Sequence, residues 1–230
     1  MNSVEVYVVV EGQTEQTFVR DVLAPQMAFQ KIYLYPVLIG KPGHKGGNIY
    51  FDRAMRDIGN FLRQRSDTCI TTMFDYFRID SDWPGKKEIR CQKGAALSAS
   101  RKAEILETAT LRKIAENFAD YNPQNRFIPY IEMHEFEALL FSDVTILAEK
   151  MDVNVSHLQR ILEEYNNPEE INDEPSKTPS RRLEALKKNY KKIIMGKTVS
   201  EATGIQAIRR QCPHFDNWLK KLEQLSVCST

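Results

Sequence analysis

Val4–Val10 form an almost continuous apolar run that stops abruptly at Glu11-Gly12. Short, β-branched runs of this kind are strands of sheets covered on both faces. Gly12 permits a tight turn and Thr14 supplies an N-cap. A helix is then expected from about Glu15 to Gln30, with Phe18, Val22 and Met27 among its apolar positions. Pro25 inside that span predicts a kink or two shorter helices. The chain thus opens as a buried strand feeding a helix, the first unit of a strand–helix alternation.

The remaining pattern supplies one. Lys31–Ile39 reads as a second strand, Gly40–Asn48 as a glycine-rich basic loop, and Tyr50–Arg65 as an amphipathic helix with Ala54, Ile58, Phe61 and Leu62 on one face. Thr68–Phe77 is the third strand, Asp80–Gly94 a loop, and Ser98–Phe118 a long helix ended by Asn122-Pro123. Arg126–Met133 is a fourth strand, at an edge or bulged because of Pro129, and His134–Glu149 a helix. Strand–helix alternation implies right-handed crossovers and a Rossmann-like α/β fold: a mostly parallel sheet of about four strands flanked by helices. Asn166–Ser180 is the linker candidate, and Arg181–Ile194 and Asn217–Leu225 look helical. The expected organisation is an α/β domain over 1–150 and a helical extension over 151–230, packed on the core.

No apolar run approaches the roughly 20 residues that span a bilayer. The N-terminus lacks a basic n-region, so it does not read as a signal peptide. A cytoplasmic protein without membrane association is expected. Cys69, Cys91, Cys212 and Cys228 show no C-x-x-C pair or zinc spacing, and in the cytoplasm they are expected as reduced thiols.

Acids sit where strands end. Glu11 closes the first strand, Asp75 lies near the end of the third, and Glu135 and Glu137 open the helix after the fourth. In an open parallel sheet these ends meet in one crevice, the usual site location. Converging carboxylates repel each other unless a cation or proton intervenes. Oxygen ligands without a companion His/Cys set favour Mg²⁺ or Mn²⁺, ions that activate water and neutralise charge on a phosphodiester. Singly, Glu11, Glu135 and Glu137 also suit the first turn of a helix; Asp75, late in an apolar strand, needs a partner. His134 fits a metal ligand, an orienter of Glu135, a phosphate contact or a helix cap.

Positive charge is clustered too. Lys177–Lys197 holds eight bases against one acid, Glu184, which reads either as a solvated helix face or as a nucleic-acid surface. Lys177, Arg181, Arg182, Lys191 and Lys192 are the candidate phosphate contacts there. Lys45, in the Gly40–Asn48 loop, is another. That loop matches neither common nucleotide-binding glycine motif, and no base-reading module is evident, so sequence specificity is expected to be weak. Tyr190 suits a base-stacking or a core role. Pro213-His214-Phe215 and Trp218 are expected to dock the last helix on the sheet.

These motifs carry a resemblance. VVVEGQTEQTFV resembles the opening of Toprim-like domains, and TTMFDYF resembles their second acidic motif. More narrowly, VEGQTE, Gly46-Gly47, TTMFDYF, FIPYIEMHEFEALLF and CPHFDNWL resemble an uncharacterised bacterial domain-of-unknown-function family, usually grouped with Toprim-like proteins and so related to OLD-family nucleases. The likeness covers nearly the whole chain, with HEFEALLF its most specific piece. It implies an acidic cluster that binds Mg²⁺ (or Mn²⁺) and acts on phosphodiesters of DNA or RNA. Glu11 matches the motif glutamate, which binds metal or acts in acid/base transfer. Asp75 matches the first acid of the D-x-D pair, but the second position is Phe77. Glu135 or Glu137 is then the substitute ligand, with Asp80 and Asp82 as weaker candidates. The resemblance also implies an AAA/ABC-type ATPase partner in a phage-defence setting. The alternative it leaves is a non-catalytic subunit that binds nucleic acid or a partner.

Overall fold

A computed structural model describes residues 3–40, 48–92, 97–171, 174 and 177–225. Lys45, Gly46, Gly47 and Cys228 lie outside the described residues. The sheet has strands β1 (Val4–Val10), β2 (Ile32–Leu38), β3 (Cys69–Asp75), β4 (Phe127–Ile128) and β5 (Ile131–Glu132). Its order is β2-β1-β3-β4, with β5 also on β3, and every pairing is parallel. The apolar opening run is accordingly an interior strand. Val10 pairs with Met73, and Asp75 with Glu132, so the C-terminal ends of β1, β3 and β5 reach one edge of the sheet.

Prolines mark both outer strands. The Ile39 amide donates to Val10 O at 3.0 Å, so odd positions of β2 turn their N–H groups inward and Pro36 occupies an outward one. Its missing donor removes one ladder bond from the exposed edge. On the other side, the expected fourth strand is split at Pro129-Tyr130 into β4 and β5. Thr72 closes the gap: its hydroxyl donates to Tyr130 O and accepts from Tyr130 N, both at 2.9 Å. Arg126, just before β4, is buried without a carboxylate and donates to the carbonyls of Leu62, Arg65, Thr68 and Tyr121.

Several expected elements take a different form. The first helix is three pieces, Gln13–Phe18, a π-helical turn Val19–Leu23, and Ala24–Ala28. Pro25 falls in the first turn of the last piece, where its missing N–H is tolerated. The Asp80–Gly94 loop contains a short helix, Lys86–Cys91. The helix expected over His134–Glu149 is a 3₁₀ segment, Phe136–Asp143, followed by an α-helix, Val144–Met151, capped by Asp143. Glu135 is the N-cap of the 3₁₀ segment and Glu137 lies in its first turn; His134 precedes both.

Two cores sandwich the sheet. One joins Phe74, Val9 and Trp83 to helices Phe51–Gln64 and Ala99–Asn117. The other runs from Val4, Val6 and Val8 through Phe136 and Leu140 to Val199, Phe215, Trp218 and Leu222, so residues beyond 150 complete a core that begins in β1. The C-terminal helices Pro179–Leu186, Lys192–Thr203, Ile205–Gln211 and Pro213–Leu225 form this layer. Trp218 docks the last of them as expected: its indole donates to Thr71 Oγ1 at 2.8 Å and its ring stacks on Tyr130 at 4.3 Å. Part of the expected linker is a buried turn, Pro168–Glu170. There Glu169 accepts from the His214 and Phe215 amides (2.9 and 2.8 Å), and Glu170 from the Ala99 amide, so one turn caps two helices. No helix among the described residues is long and apolar enough to cross a membrane.

Candidate functional site

At the C-terminal edge of the strands the sheet presents Glu11, immediately after β1, and Asp75, the last residue of β3. The 3₁₀ segment following β5 adds Glu137 beside them, with Glu135 at its cap. A fifth acid, Glu15, comes from the first turn of the Gln13–Phe18 helix and was not among the expected site residues. Its carboxylate accepts from the Gly12 amide at 2.9 Å. The signal is present in VEGQTE: Glu15 follows Glu11 by four positions, in the first turn of the helix that the glycine turn starts.

Asp75 is the centre. It is buried, and its Oδ1 accepts from the Phe136 amide at 3.1 Å. Burial, and after it the fields of Glu11, Glu15, Glu137 and Glu135, push its carboxyl well above the usual range. Burial likewise raises Glu11 to about 7; Glu15 adds to this, and Arg78, whose Nε lies 2.8 Å from Glu11 Oε1, opposes it. The other oxygen of Glu11, Oε2, is buried with no hydrogen-bond partner. Glu137 also rises to about 7 through burial, with Lys192 opposing and Glu135 and Glu15 reinforcing. Glu15 is raised too, chiefly by burial. Glu135 is tethered at the rim by the Ser180 amide at 3.0 Å.

Of the expected basic contacts, Lys192 enters this crevice. Its ammonium is 3.4 Å from Glu137 Oε1. Burial disfavours its charge, but Glu137, Glu135, Glu184 and Asp75 together prevail and raise its pKa. Lys192 opens the helix Lys192–Thr203, so the positive end of that helix faces the acids as well. Gly196 lets this helix sit close: a Cβ there would stand 2.8 Å from Phe136 Cε1 and 3.1 Å from Thr14 Cγ2. The Tyr190 hydroxyl, buried without a hydrogen-bond partner, lies within the influence of Glu137 and Glu135. Its ring packs against the core.

The other basic candidates are elsewhere. Arg182 turns onto Tyr165, donating to its hydroxyl at 2.8 Å. Lys177 pairs with Glu174 and Arg181 with Glu184 on the surface. Lys191 is exposed at the cap of the Lys192 helix. Asp80 serves the helix Phe51–Gln64, its Oδ2 accepting from the Phe51 amide at 3.3 Å, and Asp82 accepts from Ser81 Oγ. His134 is buried, stacked on Phe77 at 5.4 Å. A groove of about 1150 Å³ opens along the outer strand β4, between Phe127, Glu107 and His214, and none of the crevice acids lines it.

Residues 10–223 match the family described as Domain of unknown function (DUF4276). The chain belongs to that family. The match takes in every crevice acid from Glu11 to Glu137 and also Lys192. No curated protein and no solved structure matches the chain. The DUF4276 crevice is defined by its carboxyls. Carboxyls that titrate near neutrality can exchange protons with a substrate or exchange their protons for a cation. Among the described residues no three His, Cys, Asp or Glu side chains are gathered at ligating distance as they stand: Arg78 holds Glu11, and Lys192 holds Glu137.

Proposed function

We propose that the crevice is a Toprim-type, Mg²⁺- or Mn²⁺-dependent site that hydrolyses phosphodiester bonds in nucleic acid. The observation that carries this reading is Asp75, a buried carboxyl at the end of an interior parallel strand, within the field of four glutamates. Such a group holds either a proton or a share of a cation. The donors fit a hard divalent ion in kind, being all oxygen, and Glu11 Oε2 is a buried acceptor with no hydrogen-bond partner. Glu11, Asp75 and Glu137 are the residues that would hold the ion, with Glu135 at the rim.

A bound ion would supply Lewis-acid activation of water and neutralise charge on the phosphodiester. The chain's own groups do the rest. Glu11 matches the Toprim motif glutamate, whose role is to hold the ion or to exchange protons with the reacting oxygens; its value of about 7 is that of the ion-free crevice. Lys192 and Arg78, released from their acids, face the phosphate. The sequence carries no evident base-reading module, so the proposed cut is sequence-tolerant. An AAA- or ABC-type ATPase is the partner proposed along with this activity.

Isothermal titration with Mg²⁺ and Mn²⁺ tests the site. Wild type is expected to bind, and Glu11→Gln and Asp75→Asn each to weaken binding at least tenfold, about 1.4 kcal/mol; cleavage of single- and double-stranded DNA and RNA should follow the same order. The ion pairs Arg78–Glu11 and Lys192–Glu137 favour a second reading, in which these bases neutralise the acids permanently and the protein binds without cutting. Salt-sensitive nucleic-acid binding with no divalent affinity at millimolar ion would select it.

A further inference from the structure

The turn after Asp75 carries aromatic rings that the acid chemistry leaves unused. The Arg78 and Ile79 amides both reach back to Asp75 O, at 2.9 and 3.3 Å, so Tyr76 and Phe77 form a tight turn directly after the central acid. Both are half-buried. The Phe77 ring lies on the His134 imidazole at 5.4 Å and 28°, and Tyr76 meets His134 edge-on at 5.4 Å and 80°. Since His134 is 1% exposed, the Phe77 ring rests on a fixed floor. Positive charge lies beside it: Arg78, the next residue, is exposed while pairing with Glu11, and the Lys86 ammonium stands 3.5 Å above the Tyr76 ring while donating to Tyr76 O at 3.0 Å.

A braced aromatic face with cations beside it, one turn from a carboxylate crevice, has the parts of a base-stacking platform: a π surface for a base and charge for the adjoining phosphates. A base within a duplex is already stacked on both faces and cannot offer one without leaving the helix. We propose that Phe77 stacks an unpaired nucleobase, so that the nucleic acid entering the crevice is single-stranded or opened at the site. The position where the Toprim-like pattern has a second acid then carries a recognition group. This inference rests on the reading of the crevice as a phosphodiester site and names its substrate class.

Binding measured in EDTA separates the two. Fluorescence anisotropy of a labelled oligothymidylate and of a duplex of the same length is recorded with wild type, Phe77→Ala and Phe77→Trp. Phe77→Ala is expected to weaken single-strand binding about 5- to 150-fold and leave duplex binding within about twofold. Phe77→Trp is expected to bind the single strand as wild type does, with its indole emission quenched on binding. Unchanged single-strand affinity in Phe77→Ala, equal losses on both substrates, or no single-strand binding by wild type overturns the inference. If Phe77→Ala does not fold, an unquenched Phe77→Trp overturns it. Phe77-dependent binding without Mg²⁺-dependent cleavage would defeat the nuclease reading alone; cleavage with Phe77-independent binding would defeat this inference alone.

Discussion

Carboxylates gather twice in this molecule, with opposite outcomes. Beneath the C-terminal helix, Glu107, Glu132 and Glu169 surround His214 and Tyr130. Glu107 receives the Ile131 amide, His214 Nε2 at 3.1 Å and Lys221, while Glu169 receives two amides. Glu132 takes the Tyr130 hydroxyl at 2.7 Å. In the crevice, Glu11, Glu15, Asp75 and Glu137 have few donors; burial raises the pKa of all four, and neighbouring acids add to it for Glu11, Asp75 and Glu137. The hub's acids mostly hold elements together, although burial raises Glu132 and Glu169 there too and Glu132 Oε1 has no hydrogen-bond partner; the crevice sets four glutamates around one buried carboxyl, Asp75. An acidic residue type does not distinguish them, but the supply of donors does.

The largest effect that separates the regions is mechanical. Trp218→Ala removes the stack on Tyr130 and the bond to Thr71, and should cost about 3–5 kcal/mol in urea unfolding, because this contact clamps the hub to the sheet. A crevice substitution should act with the opposite sign. Asp75→Asn keeps an oxygen for the Phe136 amide and deletes the charge. Metal-free at pH 8 it is expected to stabilise the fold, read as a higher urea midpoint, because the charge that burial and the neighbouring acids disfavour is gone. Glu169→Ala, by contrast, strands two buried amides and should destabilise by about 1–3 kcal/mol. Destabilisation by Asp75→Asn would erase the contrast.

Next in size is pH dependence, which the regions place in different windows. Glu11 and Glu137 are raised from 4.5 to about 7. Between those values the folded state binds more protons than the unfolded, so stability falls as pH rises from about 4.5 to about 7. For His214, burial works against the charge, but Glu107, Glu169 and Glu132 prevail and raise it from 6.5 to about 9. Its contribution is complete below 6.5 and is lost as pH rises through about 9. Thermal midpoints across pH should show both declines, and millimolar Mg²⁺ should flatten the first alone. The smallest expected effect is that of Gly196→Ala. Its methyl pushes the Lys192 helix off Phe136, lowering divalent affinity a few-fold while leaving the hub's pH window in place.

Part of this was legible from residue order. The run Val4–Val10 and its stop at Glu11-Gly12 sufficed for an interior strand, and strand–helix alternation for the parallel sheet. Pro129 announced an interrupted outer strand, and Pro25 a broken helix. The His134–Glu149 segment misled because Phe136–Phe141 is buried throughout, Glu137 included. A 3₁₀ segment buried on every side carries no 3.6-residue stripe, so its pitch is set by packing against Phe18 and the Lys192 helix. The Asn166–Ser180 segment has the composition of a linker, yet the positions of two distant helix N-termini decide that Glu169 and Glu170 are caps.

Sequence by itself determined the strands, the parallel sheet and the acids at its C-terminal edge, because periodicity and turn chemistry are local. Tertiary structure decided which acids are matched. Lys192 reaches Glu137 across 55 residues, Glu169 is quenched by helix amides, and Glu15 turns into the crevice. Electrostatic compensation depends on distance in space and on desolvation, and neither is written in the order of the chain.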